Sequence, residues 1–360
     1  MWPYWLLFLV TAFQAVAKLR PTPILLPGNR WPDLWRGMFI LLALMIGVRH
    51  EVGGDWGSYM RNVEATTNLT FTETLSGIHG DPADSIINWV ASQSGLGVYL
   101  VNCVYATLFT WGLLVFCRSQ PRPWLALTVS VPYLITVVAM GYSRQGVAIG
   151  LILLGLVALA NKNIFKFVLW VALAAMFHKS AVILIPLAVV AATRRRLLTM
   201  FWVGVMMAML FGLLLQEHVD TLIAGYITDQ YESSGAGVRI AMNALPAGLF
   251  LMLRKRFQLP QAQLSFWTWM AWGALAFVVL LYISPSSTAV DRVALYWIPL
   301  QLFVWSRLPD AMGRPGGTNA FWVYAVVGYS AAIYFVWLFY ATHASYWLPY
   351  KFYPWVWLWQ

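Results

Sequence analysis

Residues 124–160 read WLALTVSVPYLITVVAMGYSRQGVAIGLILLGLVALA, a stretch with one charged residue, Arg144. Two apolar runs, 124–140 and 146–160, flank the break Gly141-Tyr142-Ser143-Arg144-Gln145. Runs of this length approach the ~20 residues that a helix needs to cross bilayer hydrocarbon. An arginine opening such a helix, with no acid near it in sequence, costs about 2.5–3.5 kcal/mol on translocon scales. Either it snorkels to an interface or it has an anionic partner.

The rest of the chain repeats this pattern. Further apolar runs cover roughly 2–17, 34–48, 98–116, 167–177, 180–192, 199–215, 238–253, 264–283, 293–306 and 320–341. The fold class is therefore an all-α polytopic integral membrane protein with about twelve transmembrane helices, in one domain over residues 1–360. Composition agrees: 61% of the 360 residues are hydrophobic and 10% charged, against about 25% charged in soluble domains. The 21 Trp and 17 Tyr suit the two interfacial belts. Residues 2–17 carry no positive n-region ahead of Ala15-Val16-Ala17, so they read as an uncleaved first helix. Cys103 and Cys117 read as small buried hydrophobes.

Charge sets the orientation. With the N-terminus outside, sixteen of the 23 Lys and Arg fall in inner loops, and eleven of the 13 Asp and Glu fall outside. Both termini are then expected to be periplasmic in an inner membrane. The net charge of +10 follows this topology, so nucleic acid is not implied as a partner. Two outer loops are long, 49–97 and 216–237, while the inner loops are short and basic. There is no phosphate-binding G-x-x-x-x-G-K-[ST], which excludes an ATP-driven transporter for this chain alone. No internal repeat supports an inverted-repeat transporter.

The cations that remain outside are the candidates for chemistry. Arg49 opens Arg49-His50-Glu51-Val52-Gly53-Gly54-Asp55, where glycine backbone could bring amides to an anion; a helix-exit turn with an Arg–Asp pair is the competing reading. Arg144 stands alone. Phe177-His178-Lys179-Ser180 interrupts an apolar run with basic residues at both far ends, so His178 is expected near the top of a hairpin of two half-spans. Arg239 opens a run after Gly235-Ala236-Gly237, and Arg292 follows Asp291, its simplest partner. Arg61 beside Glu64 reads as a solvated charge. Arginine suits phosphate because its planar fork donates two parallel hydrogen bonds and stays charged. No D-x-D, close carboxylate pair or zinc spacing is seen, so no metal and no cofactor are expected.

Arg49…Gly53-Gly54-Asp55…Tyr59, Ser143-Arg144-Gln145, Phe177-His178-Lys179-Ser180 and Arg292 with Tyr296, in this order over roughly 35–300, resemble the EpsG family of Wzy-like polysaccharide polymerases. The resemblance implies a GT-C-like integral glycosyltransferase. Its donor and acceptor would be glycans on undecaprenyl pyrophosphate, joined on the periplasmic face without a metal, with a flippase and a chain-length regulator as partners. It implies that Arg49, Arg144, Arg239 and Arg292 hold pyrophosphate, that Asp55 or His178 serves the acceptor hydroxyl, and that Tyr59, Gln145 and Tyr296 contact substrate. A flippase of lipid-linked oligosaccharide or an O-antigen ligase would share many of these features. The aromatic tail from Trp347 to Trp359 reads as an interfacial segment.

Overall fold

The computed structural model describes residues 1–22, 30–76, 81–187, 196–210 and 235–358. Among these the chain is helical, with one isolated β-bridge between Arg49 and Phe352. In order come α1 (Trp2–Ala17), α2 (Asp33–Gly47), α3 (Trp56–Ala65), α4 (Phe71–Ser76), α5 (Pro82–Gln93) and α6 (Gly97–Arg118). Then follow α7 (Pro123–Ser130), which continues as a π-helix (Val131–Ala139), α8 (Ser143–Ala160), α9 (Ile164–Ala175) and α10 (Arg196–Leu210). The last are α11 (Ala236–Leu253), α12 (Gln261–Ile283), α13 (Ser287–Ala294), α14 (Ile298–Met312), α15 (Ala320–Tyr340) and α16 (Tyr353–Leu358).

Among the described residues five helices are long and apolar enough to cross a membrane: α6, α8, α11 with its extension to Phe257, α12 and α15. The protein is thus polytopic and all-α. The other apolar runs form shorter helices, among them α1, α7 with its π-helical continuation, and α9. The spans expected over 180–192 and 199–215 and the outer loop at 216–237 lie partly outside the described residues.

Local chemistry explains where helices begin. Proline in the first turn opens α1, α5, α7 and α14, where its missing N–H is no loss. Asn163 caps α9 by accepting from the Lys166 amide at 2.9 Å. α6 and α8 cross where Gly112 meets Gly150, and a Cβ on Gly112 would strike the Gly150 carbonyl. Small residues at such crossings let helix backbones approach in lipid.

The helix ends sort onto two sides. On one side Arg122 makes a bidentate pair with Asp310, at 3.1 and 2.7 Å, and donates to the carbonyls of Leu19, Gly317 and Thr318. Arg118 donates to the Arg30 carbonyl at 3.2 Å. This ties together the ends of α1, α6 and α14 and the starts of α2, α7 and α15, whose loops also hold Lys18, Arg20 and Arg314. The candidate residues gather at the opposite side.

Two expectations change here. The long segment 49–97 is not an open loop: α3, α4 and α5 fold over the bundle, and Ala83 N–H donates to the Met176 carbonyl. The aromatic tail is not simply interfacial either. Trp347 is 2% exposed, its indole fills the space where a Gly141 side chain would stand, and Nε1–H donates to the Thr136 carbonyl at 2.7 Å. Thr136 lies in the π-helix, whose wide turn starts beside Pro132, a residue that cannot donate to the ladder. The tail then crosses the 48–53 segment: His50 N–H donates to Lys351 O, Tyr353 N–H to Val48 O, and Lys351 pairs with Glu51 at 2.6 Å. Trp347→Ala empties a buried, hydrogen-bonded ring site and is expected to cost about 3–5 kcal/mol. Thermal unfolding in detergent should show this as a lowered midpoint, with Trp347→Phe intermediate.

Candidate functional site

Five structural pieces meet on the side opposite the Arg122 cluster: the loop after α2, the N-terminus of α5, the Gly141–Gln145 break, the turn after α9, and α13 with the short turn behind it. The loop after α2 is shaped by Gly53, whose φ of 106° only glycine adopts easily, and a Cβ there would run into the Met140 carbonyl. Its amide donates to the Tyr346 carbonyl at 2.9 Å, so it is not offered to an anion as the Gly-Gly pair suggested. What the turn does is aim Asp55. The Asp55 carboxylate makes no hydrogen bond or ion pair among the described residues, and the charges of Arg292 and Arg144 both act on it. Burial raises its pKa above the usual aspartate value, and the two arginines oppose that rise.

Arg144 is not unpaired. At the start of α8 its Nη1 lies 3.3 Å from Asp81 Oδ2 and 3.7 Å from Asp84 Oδ2, with 37% of the side chain still exposed. The two acids sit three residues apart at the start of α5, a carboxylate pair absent from the sequence reading. Their signal was the Asp81-Pro82 helix start. Asp84 also accepts from the Tyr105 hydroxyl, and Asp81 from the Lys179 amide at 3.1 Å. Burial pushes the Asp81 carboxyl up to about 6, against the pull of Arg144 and the Lys179 amide.

His178 stands in the turn between α9 and a 3₁₀ segment, Lys179–Leu184, that packs back on α9. Its Nδ1 is 2.7 Å from Ser180 Oγ and 3.1 Å from the Tyr296 hydroxyl. Nε2 makes no hydrogen bond among the described residues. Burial, then Arg144, Arg292 and Lys179, drive the imidazole pKa down to about 3, so the ring is neutral. Tyr59 of α3 is 3% exposed and lies within the electrostatic reach of Asp55 and Arg144.

The arginines divide. Arg292 stacks its guanidinium over the Tyr142 ring at 4.4 Å and has no salt bridge among the described residues. The sequence places Tyr142 in the break before Arg144 but gives no sign of this stacking. Arg239, not Arg292, takes Asp291: Nε to Oδ1 and Nη2 to Oδ2, both 2.7 Å. Arg49 is drawn away from the rest. It is 1% exposed and donates to the carbonyls of Val52 and Ile46, to Asn102 Oδ1 at 3.0 Å and to Ser143 Oγ at 2.7 Å. It locks α2, α6 and α8 together and turns no free face to a substrate. Gln145, also 1% exposed, donates to the Arg292 carbonyl at 2.6 Å and so holds the backbone of Arg292. Arg61 is a solvated charge bonded to Ser58.

The Arg239–Asp291 pair is largely buried, with side-chain exposures of 18% and 9%. Breaking it from one side strands a charge, so Asp291→Ala is expected to cost about 3–5 kcal/mol. The double variant Arg239→Ala/Asp291→Ala should recover part of that loss. Unfolding titrations of the two singles and the double close the cycle, and plain additivity would mean the pair is not coupled.

The site defines a class: a helical membrane protein with arginines at the ends of its helices and a carboxylate, Asp55, that has no hydrogen bond or ion pair among the described residues. The family model of the EpsG family matches residues 34–352, nearly the whole chain. The chain belongs to the EpsG family, a family of Wzy-like polysaccharide polymerases. Comparison with the curated proteins and with the solved structures gives no match.

Proposed function

We propose that the protein is a polysaccharide polymerase that joins glycan repeat units carried on undecaprenyl pyrophosphate, on the periplasmic side of an inner membrane. The observation that carries this is Asp55: a carboxylate with no hydrogen bond or ion pair among the described residues, on which the charges of Arg292 and Arg144 act, in a chain of this family. The acceptor hydroxyl attacks the anomeric carbon of the donor. Its proton passes to Asp55, and the anomeric C–O bond breaks with its electron pair going to the pyrophosphate. Arg292 and the exposed part of Arg144 take up the charge that grows on the leaving oxygen. A single displacement inverts the anomeric centre.

Neutral His178, tied to Ser180 and Tyr296, donates or accepts one hydrogen bond through Nε2 and does not serve as base. Tyr59 and Tyr296 wall the acceptor side. Arg239, held by Asp291, flanks the pyrophosphate. Arg49 and Gln145 position the others.

The test uses purified protein in liposomes with lipid-linked repeat units. A ladder of products, each longer by one unit, is expected on a gel. Units moved across the bilayer with no ladder would instead make the protein a flippase.

A further inference from the structure

A cavity of about 440 Å³ lies beside the arginines, between the π-helix, the first half of α11 and the second half of α15. Its walls are mostly apolar, among them Val137, Met242, Ile333 and Val336, with Thr342 and His343 also lining it. At its polar end stand Arg239 and Tyr142. Tyr142 also carries the Arg292 guanidinium, stacked over its ring at 4.4 Å, so one tyrosine touches both the chamber and the cation whose charge acts on Asp55.

The chamber is not sealed: Val336 and Tyr340 line it and are 51% and 73% exposed. Both stand on α15, which like α11 is long and apolar enough to cross a membrane, so an opening between the two helices would admit a hydrocarbon chain from the bilayer.

We propose that this cavity holds the proximal isoprene units of the donor's polyprenyl tail, with the donor pyrophosphate between Arg239 and Arg292. This rests on the polymerase reading. The occupant is the donor and not the acceptor for a chemical reason. Only the donor's pyrophosphate is bonded to the reacting carbon, so only that pyrophosphate has to sit within reach of both the tail site and Asp55. The acceptor's pyrophosphate is a whole repeat unit away from the reacting hydroxyl. A single chain joined directly to a pyrophosphate also suits one chamber that ends at the Arg239 guanidinium, with Arg292 on Tyr142 beside it. A two-chained phospholipid would leave its glycerol and second chain outside.

The test is tail-length dependence. Donors with a graded series of isoprenyl tails are given to the reconstituted protein with one fixed acceptor. In the wild type the KM for donor should fall with each added unit and then level off. Met242→Trp and Ile333→Trp narrow the chamber and should raise the KM of long-tailed donors about tenfold, with kcat and the KM for acceptor unchanged. A donor carrying a photoreactive group on its first isoprene units should crosslink wild-type protein to α11 and α15, a readout that needs neither turnover nor the variants. Polymer formation with unchanged KM in both variants and crosslinks to other helices would overturn the tail site and leave the polymerase standing. Crosslinks to α11 and α15 without any polymer would do the reverse.

Discussion

Asp55→Asn is expected to lower polymer formation by about two to four orders of magnitude, the usual contribution of a positioned general base. The amide keeps the size and shape of the side chain, so the lipid-linked donor should still bind. The pH profile gives a second reading. The base works ionised, and burial raises the Asp55 pKa above the ordinary aspartate value. Activity therefore falls as pH drops through that raised value, and the acid limb should lie above the limb of a solvent-exposed aspartate. Asp55→Asn should flatten it. His178→Asn should leave it in place, because an imidazole held down to about 3 does not titrate in that range. Wild-type turnover in Asp55→Asn would falsify the assignment of the base.

Arg292→Ala is the second large effect. An electrostatic donor aimed at developing charge is worth about 10²–10³ in kcat, and Arg292 makes no salt bridge among the described residues. Its removal therefore breaks no ion pair, and the fold should persist, in contrast to Asp291→Ala. Arg292→Lys keeps the charge but loses the fork and the stacking on Tyr142, so it should recover only part of the rate. Single-turnover measurement of donor consumption separates this from slow product release. Equal wild-type rates in Arg292→Ala and Arg292→Lys would remove the arginine from the chemistry.

Much of the site was legible one residue at a time. Asp55, Arg144, His178 and Arg292 stand out because each interrupts apolar sequence or follows a glycine turn, and the structure gathers all four. What could not be read was how they pair. Asp291 is adjacent to Arg292 in sequence, yet α13 points its carboxylate at Arg239 on α11. Arg144 has no acid in its own segment, and α5 brings it two. Arg49 looked like Arg144, but its donors are consumed by α6 and α8. The aromatic tail carries no pattern that separates Trp347, sealed against Gly141, from Trp355 and Trp357, which are 63% and 66% exposed.

The sequence by itself determined that this is a helical membrane protein and that a few arginines interrupt its apolar runs or open them. Those properties are local: transfer of an apolar run into hydrocarbon depends on the run. Only the tertiary structure decided which cations are spent on holding helices and which face the carboxylate of Asp55. Ion pairing falls off within a few ångströms, and which helix ends come that close is set by packing across the whole bundle.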